Sequence, residues 1–468
     1  MLTFTNGSRD SADAYLAAGL ADVVTARLSA VHRLVVASRT AVARVHGVET
    51  MRTAEIGRAL GVTSLLTGSV RRADGQLMVT AELVRAATGQ QLWSRQFEQP
   101  QSELLAIQGA IATDVAAALL GTLQPDERDR LVARPTRDPR AFDLYLRTND
   151  AMWDADSRAV QQAIANLEAA LRIDPNFSAA MGRMAYFYGW ATNWGLLLPG
   201  MAPESAIARG LVLADQALAA DSNATDAWLG RSYLLFFRDP PDYVGSLTAV
   251  RQGVSLDTAN ANLHNQYATT LRRLGDFASA DAEYRLALRA DPHMAQSMAD
   301  RGMIALTLRR PAEAQALYDS AIAIRDAWQI RQFGTRAHLA NGDTAGARRE
   351  VARLLEQAPL ASRSMALAAA AQVEARLGDT ASARARVEPL VTALGADGPV
   401  RVREGFEIAL ALVALGDRDR AIALLERARP RGAWLWSYLI MPWFDPVRSD
   451  PRFQQLVRAS APPGAPRM

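Results

Sequence analysis

Hydrophobic and polar positions follow two periods in the first 122 residues of the chain. Apolar residues three and four positions apart indicate helices, whereas β-branched and alternating runs indicate strands. The predicted elements are strands at 2–5, 34–42, 64–72, 76–85 and 91–98, and helices at 12–31, 53–60 and from a cap at Ser102 to Leu120. The order βαβαβββα predicts an α+β domain, one sheet with one helix layer, over residues 1–122.

Residues 123–140 combine prolines with charges, which is typical of a linker. Beyond them the pattern is helical and a turn motif recurs. The turn positions are Gly275, Arg309, Gly342, Gly378 and Gly416. Their spacings of 34, 33, 36 and 38 residues indicate repeated pairs of helices. We therefore expect an all-α solenoid of eight or nine helical pairs over residues 141–430, followed by an aromatic C-terminal cap and tail at 431–468.

Small, large and small residues alternate at helical spacing after the turns. After Gly275 they form a ladder of Ala280, Tyr284 and Ala287, and similar ladders follow Arg309 and Gly416. Such a ladder lets the second helix of a pair pack closely on the first. With the period, it identifies the region as an array of tetratricopeptide repeats.

The two parts together resemble a bacterial arrangement in which a TolB amino-terminal-like domain precedes tetratricopeptide repeats. The resemblance rests on five segments of the first domain, at 18–20, 34–40, 55–62, 66–72 and 86–93, and on the closing 443–453. In that family the pair usually follows an effector such as a serine/threonine kinase, an adenylate cyclase or a winged-helix DNA-binding domain. The resemblance implies no catalytic residues for these two domains.

Composition excludes several kinds of chemistry. The chain has no cysteine and no lysine, so thiolate nucleophiles, disulfides, Schiff-base lysines and phosphate-loop lysines are absent. The five histidines show no helical pairing at four-residue spacing, and we predict no catalytic, cofactor or metal site. The net charge of +3 carries no strongly basic footprint, so no direct nucleic-acid partner is expected.

The concave face of the repeats is the predicted partner site, because the first helices of such pairs line it. Polar residues with no packing role there suit recognition of a protein or an extended peptide. The predicted groove residues are Asn262, Asn265, Thr269, Arg272, Gln329, Gln332 and Arg336.

Two other features have alternative interpretations. The dense arginines between 376 and 431 could form an anion-binding face, but interleaved acidic residues favour a solvated helix surface. The aromatic residues between 434 and 444 could form a docking patch, although covering the open end of the array is favoured.

The sequence thus predicts a non-enzymatic, regulatory interaction module, with the N-terminal domain as a candidate homodimerisation unit. The alternative is the sensor half of a signalling kinase, adenylate cyclase or transcription regulator whose effector lies upstream of Met1. The first residues show no signal peptide and no segment reaches the length of a membrane-spanning helix, so we expect the cytoplasm. An upstream membrane segment would instead allow the periplasm.

Overall fold

The structure is a computed structural model, and its described part is divided into two compact units. Unit 1 comprises Met1–Arg238, Asp242–Tyr267 and Leu286–His293, and unit 2 comprises Asp239–Pro241, Ala268–Arg285 and Met294–Met468. The described residues are 4–8, 14–29, 51–73, 76–100, 103–132, 138–148, 157–194, 200–238, 240–258, 260–395, 402–428 and 436–462, with the single positions 31, 33, 34, 36, 37, 42, 136, 198 and 400.

Among the described residues, the N-terminal part of unit 1 contains a four-stranded sheet in the order β1-β2-β3-β4. Its strands are β1 (Thr5–Asn6), β2 (Ser64–Ala73), β3 (Gln76–Arg85) and β4 (Gln91–Pro100). Strand β1 pairs parallel to β2, with Thr5 opposite Ser69, and the other pairings are antiparallel. The helices are α1 (Ala14–Ser29), α2 (Thr53–Leu60) and α3 (Leu104–Leu120).

These elements confirm the predicted α+β class. The predicted strand at 34–42 falls where only isolated positions are described, and Ser102 lies outside the described residues. Helix α3 begins after Glu103. Apolar side chains of one sheet face, such as Val79, pack with Val24 of α1 and Ile111 of α3 in one buried cluster. Alternating inward and outward positions on β3 produce this one-sided burial.

The segment predicted as a linker contains a helix, α4 (Pro125–Val132). Proline at the first helical position lacks only an N–H that would be unpaired there, so it starts a helix rather than preventing one. Leu131 is fully buried, and Glu127 forms an ion pair with Arg33 at 2.7 Å. The segment predicted as a linker thus contains a helix that the proline signal did not predict.

Beyond this helix, the described residues contain eight pairs of helices, which confirms the predicted solenoid. The pairs are α5–α6 (Pro139–Leu146, Ser157–Ile173), α7–α8 (Ser178–Trp194, Pro203–Ala220), α9–α10 (Thr225–Phe237, Tyr243–Leu256), α11–α12 (Ala261–Leu274, Phe277–Ala290), α13–α14 (Ala295–Thr307, Pro311–Ile324), α15–α16 (Trp328–Ala340, Thr344–Gln357), α17–α18 (Arg363–Arg376, Thr380–Leu394) and α19–α20 (Val402–Ala414, Arg418–Arg427). They are followed by α21 (Trp436–Leu439), a 3₁₀ segment (Pro442–Val447) and α22 (Pro451–Ser460). No helix of the described residues is long and apolar enough to cross a membrane.

The first pair packs in the same core as the N-terminal sheet. Within unit 1 this core runs from Phe4 to Leu234. The Tyr15 hydroxyl of α1 donates a hydrogen bond to Asp143 of α5. Burial, together with this bond to the Asp143 carboxylate, raises the pKa of Tyr15 to about 12. The hydroxyl therefore remains a donor at neutral pH, and it links the two regions.

The turns within pairs use glycine and aspartate in separate roles. Glycines 275, 342, 378 and 416 adopt positive φ, a conformation that glycine enters without a Cβ clash. The aspartate that follows caps the second helix, as where Asp379 accepts a hydrogen bond from the Ser382 backbone N–H at 3.1 Å. The recurring Gly-Asp motif is therefore a turn and a helix start.

We expect the Asp379 cap to weaken in acid. Hydrogen bonds from the backbone and side chain of Ser382 hold the pKa of Asp379 below its ordinary 3.8. Because the folded value is lowered, the stabilisation is complete above the ordinary value and is lost as pH falls through the lowered one. Thermal unfolding between about pH 5 and pH 3 checks this: the midpoint of the wild-type chain should fall more steeply than that of Asp379→Asn, which caps without titrating. Parallel pH profiles would contradict it.

Arg309 takes the place of glycine in one turn and adopts φ 59°. A side chain in this left-handed region costs about 1–2 kcal/mol. Arg309 forms an ion pair with Asp445 at 2.7 Å, but both side chains are substantially exposed, and such pairs contribute about 0–1 kcal/mol. We therefore expect Arg309→Gly to keep or raise the thermal unfolding midpoint. A clear fall, with Arg310→Gly at the next position as the comparison, would contradict this account of the turn.

Candidate partner-binding face

In each unit, the first helices of the pairs carry the side chains that the sequence predicts as a partner site, and we call this side of a unit its first-helix face. Helix α11 contributes four of the predicted residues. Asn262 and Asn265 are half-buried, in the part of α11 that belongs to unit 1. Thr269 and Arg272 lie further along the helix, in unit 2. The Thr269 hydroxyl is hydrogen-bonded to the Tyr284 hydroxyl at 3.0 Å.

Arg272 is buried in unit 2 with a carboxylate beside it. Its Nη2 donates to Oδ1 of Asp300 at 3.3 Å, and its Nη1 lies 3.1 Å from Sδ of Met303. Burial alone would lower the pKa of Arg272, but Tyr284 and Asp300 raise it above its ordinary value. The guanidinium therefore remains charged, and it joins α11 to α13.

Arg336 is fully buried and connects three first helices of unit 2. Its Nε donates to Oε1 of Gln372 on α17 at 2.6 Å, and its two Nη atoms form a fork on the carboxylate of Glu407 on α19. The guanidinium also lies 5.2 Å from the ring centroid of Phe333. A bidentate fork is the strongest geometry for an arginine–carboxylate pair. From its buried position, Arg336 thus fixes α15 relative to α17 and α19.

The two predicted glutamines lie on α15. Gln332 is buried, and its backbone carbonyl accepts a hydrogen bond from the Thr335 hydroxyl at 2.8 Å. Gln329 is half-buried, one position after the start of the helix. Of the seven predicted residues, Asn262, Asn265 and Gln329 therefore lie near the surface of their helices, with Thr269 also half-buried. Arg272, Gln332 and Arg336 lie inside.

Sequence reasoning missed the partners of the two arginines, although their spacing held a signal. Asp300 and Glu407 each precede their turn residue, Arg309 and Gly416, by nine positions. Residues nine, six and three positions before the turn lie on one side of a helix, because three-residue steps are neighbours there. Arg272 and Arg336 lie three and six positions before their own turns. A comparison of these positions between neighbouring pairs would therefore have placed Asp300 and Glu407 near the two arginines.

The first-helix face of unit 1 carries aromatic and charged side chains over three successive pairs. Arg183 of α7 donates from Nε to Oδ2 of Asp226 on α9 at 3.1 Å, and its guanidinium lies 4.0 Å from the ring centroid of Tyr145 on α5. Tyr233 and Phe237 of α9 are half-buried, with ring centroids 6.1 Å apart. The arrangement offers flat apolar surfaces beside a fixed ion pair.

The late arginines pair with the interleaved acidic residues. Arg420 contacts Glu388 at 2.7 Å and Asp417 at 2.6 Å, and Arg386 contacts Glu374 at 2.9 Å. These ion pairs favour the interpretation of the late arginines as part of a solvated helix surface rather than an anion-binding face. Among the described residues, no group of three or more acidic or histidine side chains is placed to hold a metal ion.

The helix pairs, their turns and their ladders define a helical-repeat protein of the tetratricopeptide type. A family model described as "Tetratricopeptide repeat" matches residues 261–294, which are the α11–α12 pair. A tetratricopeptide repeat protein from Parabacteroides merdae is 14% identical, and the match covers 69% of this chain and 99% of that one with a TM-score of 0.37. YrrB, described as a TPR protein with an unusual peptide-binding site, is 13% identical over 41% of this chain and 91% of its own, with a TM-score of 0.30.

A putative adenylate cyclase 3 of Rhizobium meliloti is 27% identical over 134 residues, which are 28% of this chain. The match spans only 22% of the relative's length.

Proposed function

We propose that the chain is a non-enzymatic, regulatory interaction module that binds a partner protein, or an extended segment of one, through its first-helix face. The observation that carries this proposal is the row of Tyr145, Arg183, Asp226, Tyr233 and Phe237 across three first helices of unit 1. Tyr233 and Phe237 are the half-buried rings of this row, and aromatic and arginine side chains are enriched among the residues that contribute most to protein interfaces. The match of the α11–α12 pair to a tetratricopeptide repeat supports the same class.

The predicted groove residues enter this proposal in two roles. Asn262, Asn265 and Gln329, near the surface of their helices, are proposed to contact the partner. Arg272 and Arg336, whose guanidinium groups are held by carboxylates, are proposed to fix the spacing of the first helices. Thr269 and Gln332 belong with this second group.

Quantitative capture from the source cells tests the face. The double variant Tyr233→Ala with Phe237→Ala should lose a partner that the wild-type chain retains. The matched control is Val212→Ala with Val244→Ala, two exposed residues on second helices. A protein lost at least about tenfold by the first variant and kept by the second supports the proposal, since removing aromatic anchors costs about 1–2 kcal/mol or more. Equal retention by both would overturn it.

The N-terminal domain, with its resemblance to the TolB amino-terminal family, is proposed as a second binding or homodimerising unit. Within the described residues β4 pairs with β3 along one edge only. An open strand edge can accept a strand from another chain. A mass measurement of the purified chain tests this proposal, because replacing Gln96 in the middle of β4 with proline should convert a dimer to a monomer.

The second candidate is the sensor half of a signalling protein, favoured by the 27% identity to a putative adenylate cyclase. An antibody against the repeats decides between the two in source cells. A band at 50.7 kDa favours a free-standing module, whereas a band tens of kilodaltons larger favours the sensor half. No cofactor and no nucleic-acid partner enter either proposal, and the proposed compartment is the cytoplasm.

A further inference from the structure

The chain places a segment of its own on the first-helix face of unit 2. We call residues 436–445 the C-terminal segment. Arg273 of α11 donates from Nη1 to the Ser437 hydroxyl at 2.6 Å, although 164 residues separate the two. The Tyr438 ring lies 4.9 Å from Phe406 of α19 and 6.3 Å from Phe333 of α15, centroid to centroid. One short segment thus contacts the first helices of three different pairs.

Apolar side chains of the segment, such as Leu439 and Met441, are buried in the core of unit 2, and three further anchors hold it. The Ser437 hydroxyl receives the hydrogen bond from Arg273, and the Tyr438 ring is enclosed by two aromatic rings and by the Arg273 guanidinium, 5.1 Å from its centroid. The carboxylate of Asp445 pairs with Arg309 at 2.7 Å. Burial raises the pKa of the Tyr438 hydroxyl, but Arg273 and two further arginines lower it more, so its pKa lies below the ordinary value. The surroundings of Tyr438 therefore favour negative charge as well as an aromatic ring.

Covering the end of the array requires fewer contacts than these. Phe444 packs on Phe406 and on Phe453, with centroids 5.7 and 5.3 Å apart, and this apolar cluster covers the last pair. The contacts of Ser437 with Arg273 and of Asp445 with Arg309 reach earlier pairs and add nothing to that cover. Among the described residues, Arg309 is the non-glycine residue with positive φ, and the ion pair that it makes with the segment compensates only part of the cost of that conformation.

We propose that the C-terminal segment is an internal ligand of this face, and that it shows which partner the face accepts. Such a partner presents an aromatic side chain directly after a hydroxyl-bearing residue, with a carboxylate seven positions later. Binding would require the internal segment to leave, so the segment regulates the face. The inference rests on the proposed function, because it assumes that the first-helix face binds partners.

The C-terminal segment has only short elements of regular structure. Helix α21 contains only four residues, and a 3₁₀ segment follows it. Backbone hydrogen bonds within such short elements contribute little stability, so the contacts of the side chains hold the segment in place. An internal ligand also competes at an effective concentration on the order of millimolar, which masks the face from weak partners.

A fluorescein-labelled peptide with the sequence of residues 436–447 tests the proposal on the full chain. We expect weak binding to the wild type and at least about tenfold tighter binding to Ser437→Ala with Tyr438→Ala, whose internal segment has lost two anchors. Adding Arg273→Ala to that variant should remove the gain, as should replacing the tyrosine of the peptide with alanine. A peptide that binds the variant no more tightly than the wild type overturns the proposal.

Asp445→Ala keeps the test decisive if the double variant fails to unfold cooperatively. It removes the carboxylate of the internal segment but leaves Arg309 for the carboxylate of the peptide, so it should tighten peptide binding severalfold. No tightening there overturns the proposal as well. The Tyr233→Ala, Phe237→Ala chain could lose a partner while the peptide binds none of the variants. The proposed function would then stand, and the segment would be a fixed part of the fold. If the peptide binds but no partner is captured, the segment is an internal ligand of the face and the proposed function fails.

Discussion

Replacing Arg336 with methionine should lower the free energy of unfolding of unit 2 by about 3–5 kcal/mol. The side chains of Arg336 and Glu407 are 0% and 4% exposed, so the substitution leaves a carboxylate inside the protein without its cation. Oε1 of Gln372 also loses the hydrogen bond that Nε of Arg336 donates to it. Denaturant unfolding followed by tryptophan fluorescence measures the change.

Two controls separate the buried pair from a general effect of arginine. The double variant Arg336→Met with Glu407→Met should recover most of the loss, because apolar residues of similar volume commonly replace a buried pair at little cost. Arg353→Ala removes an exposed pair with Glu356, whose side chains are 64% and 66% exposed, and should change stability by less than about 1 kcal/mol. A loss for Arg336→Met no larger than for Arg353→Ala would contradict the account of the buried network.

Replacing Gly230 with alanine should destabilise unit 1 by about 1–3 kcal/mol. A Cβ there would lie 2.7 Å from the backbone N of Tyr186 and 3.1 Å from the carbonyl carbon of Ala185, so α7 and α9 would have to separate. Backbone atoms cannot move aside as a flexible side chain can. The same separation would displace Tyr186 from Tyr233, whose ring centroids are 5.3 Å apart, and would disturb the proposed binding face.

Gly334→Ala is the matched control for this close approach. Its added Cβ would meet Cδ1 of Ile322 at 3.2 Å, the end of a flexible side chain, and alanine is the better helix former by about 1 kcal/mol. We expect its thermal midpoint to be unchanged or raised. If both alanine variants unfold at the same midpoint, the packing of α7 on α9 is not set by Gly230.

Local rules predicted the repeated part of the fold. Positive φ at Gly275 and a helix cap at Asp379 depend on neighbouring residues, and the period placed the pairs correctly. The N-terminal strands followed from alternation. The helix at 125–132 was missed because its proline was taken for an end rather than a start.

The interior of the face could not be predicted in the same way. Arg336 has the sequence features of a surface residue on a first helix, and it is buried because neighbouring first helices supply Gln372 and Glu407. Its carboxylate partner is 71 residues away, beyond any local window. Likewise, the contact of Arg273 with Ser437 depends on how the end of the chain returns to α11.

The most direct test of partner binding is photo-crosslinking in the source cells. A photoreactive amino acid replaces Phe237 on α9 in one chain, and Val212, an exposed residue of the second helix α8, in another. The account predicts a discrete crosslinked protein from position 237 and none from position 212. Adducts of equal yield from both positions, or none from position 237, would contradict binding through the first-helix face.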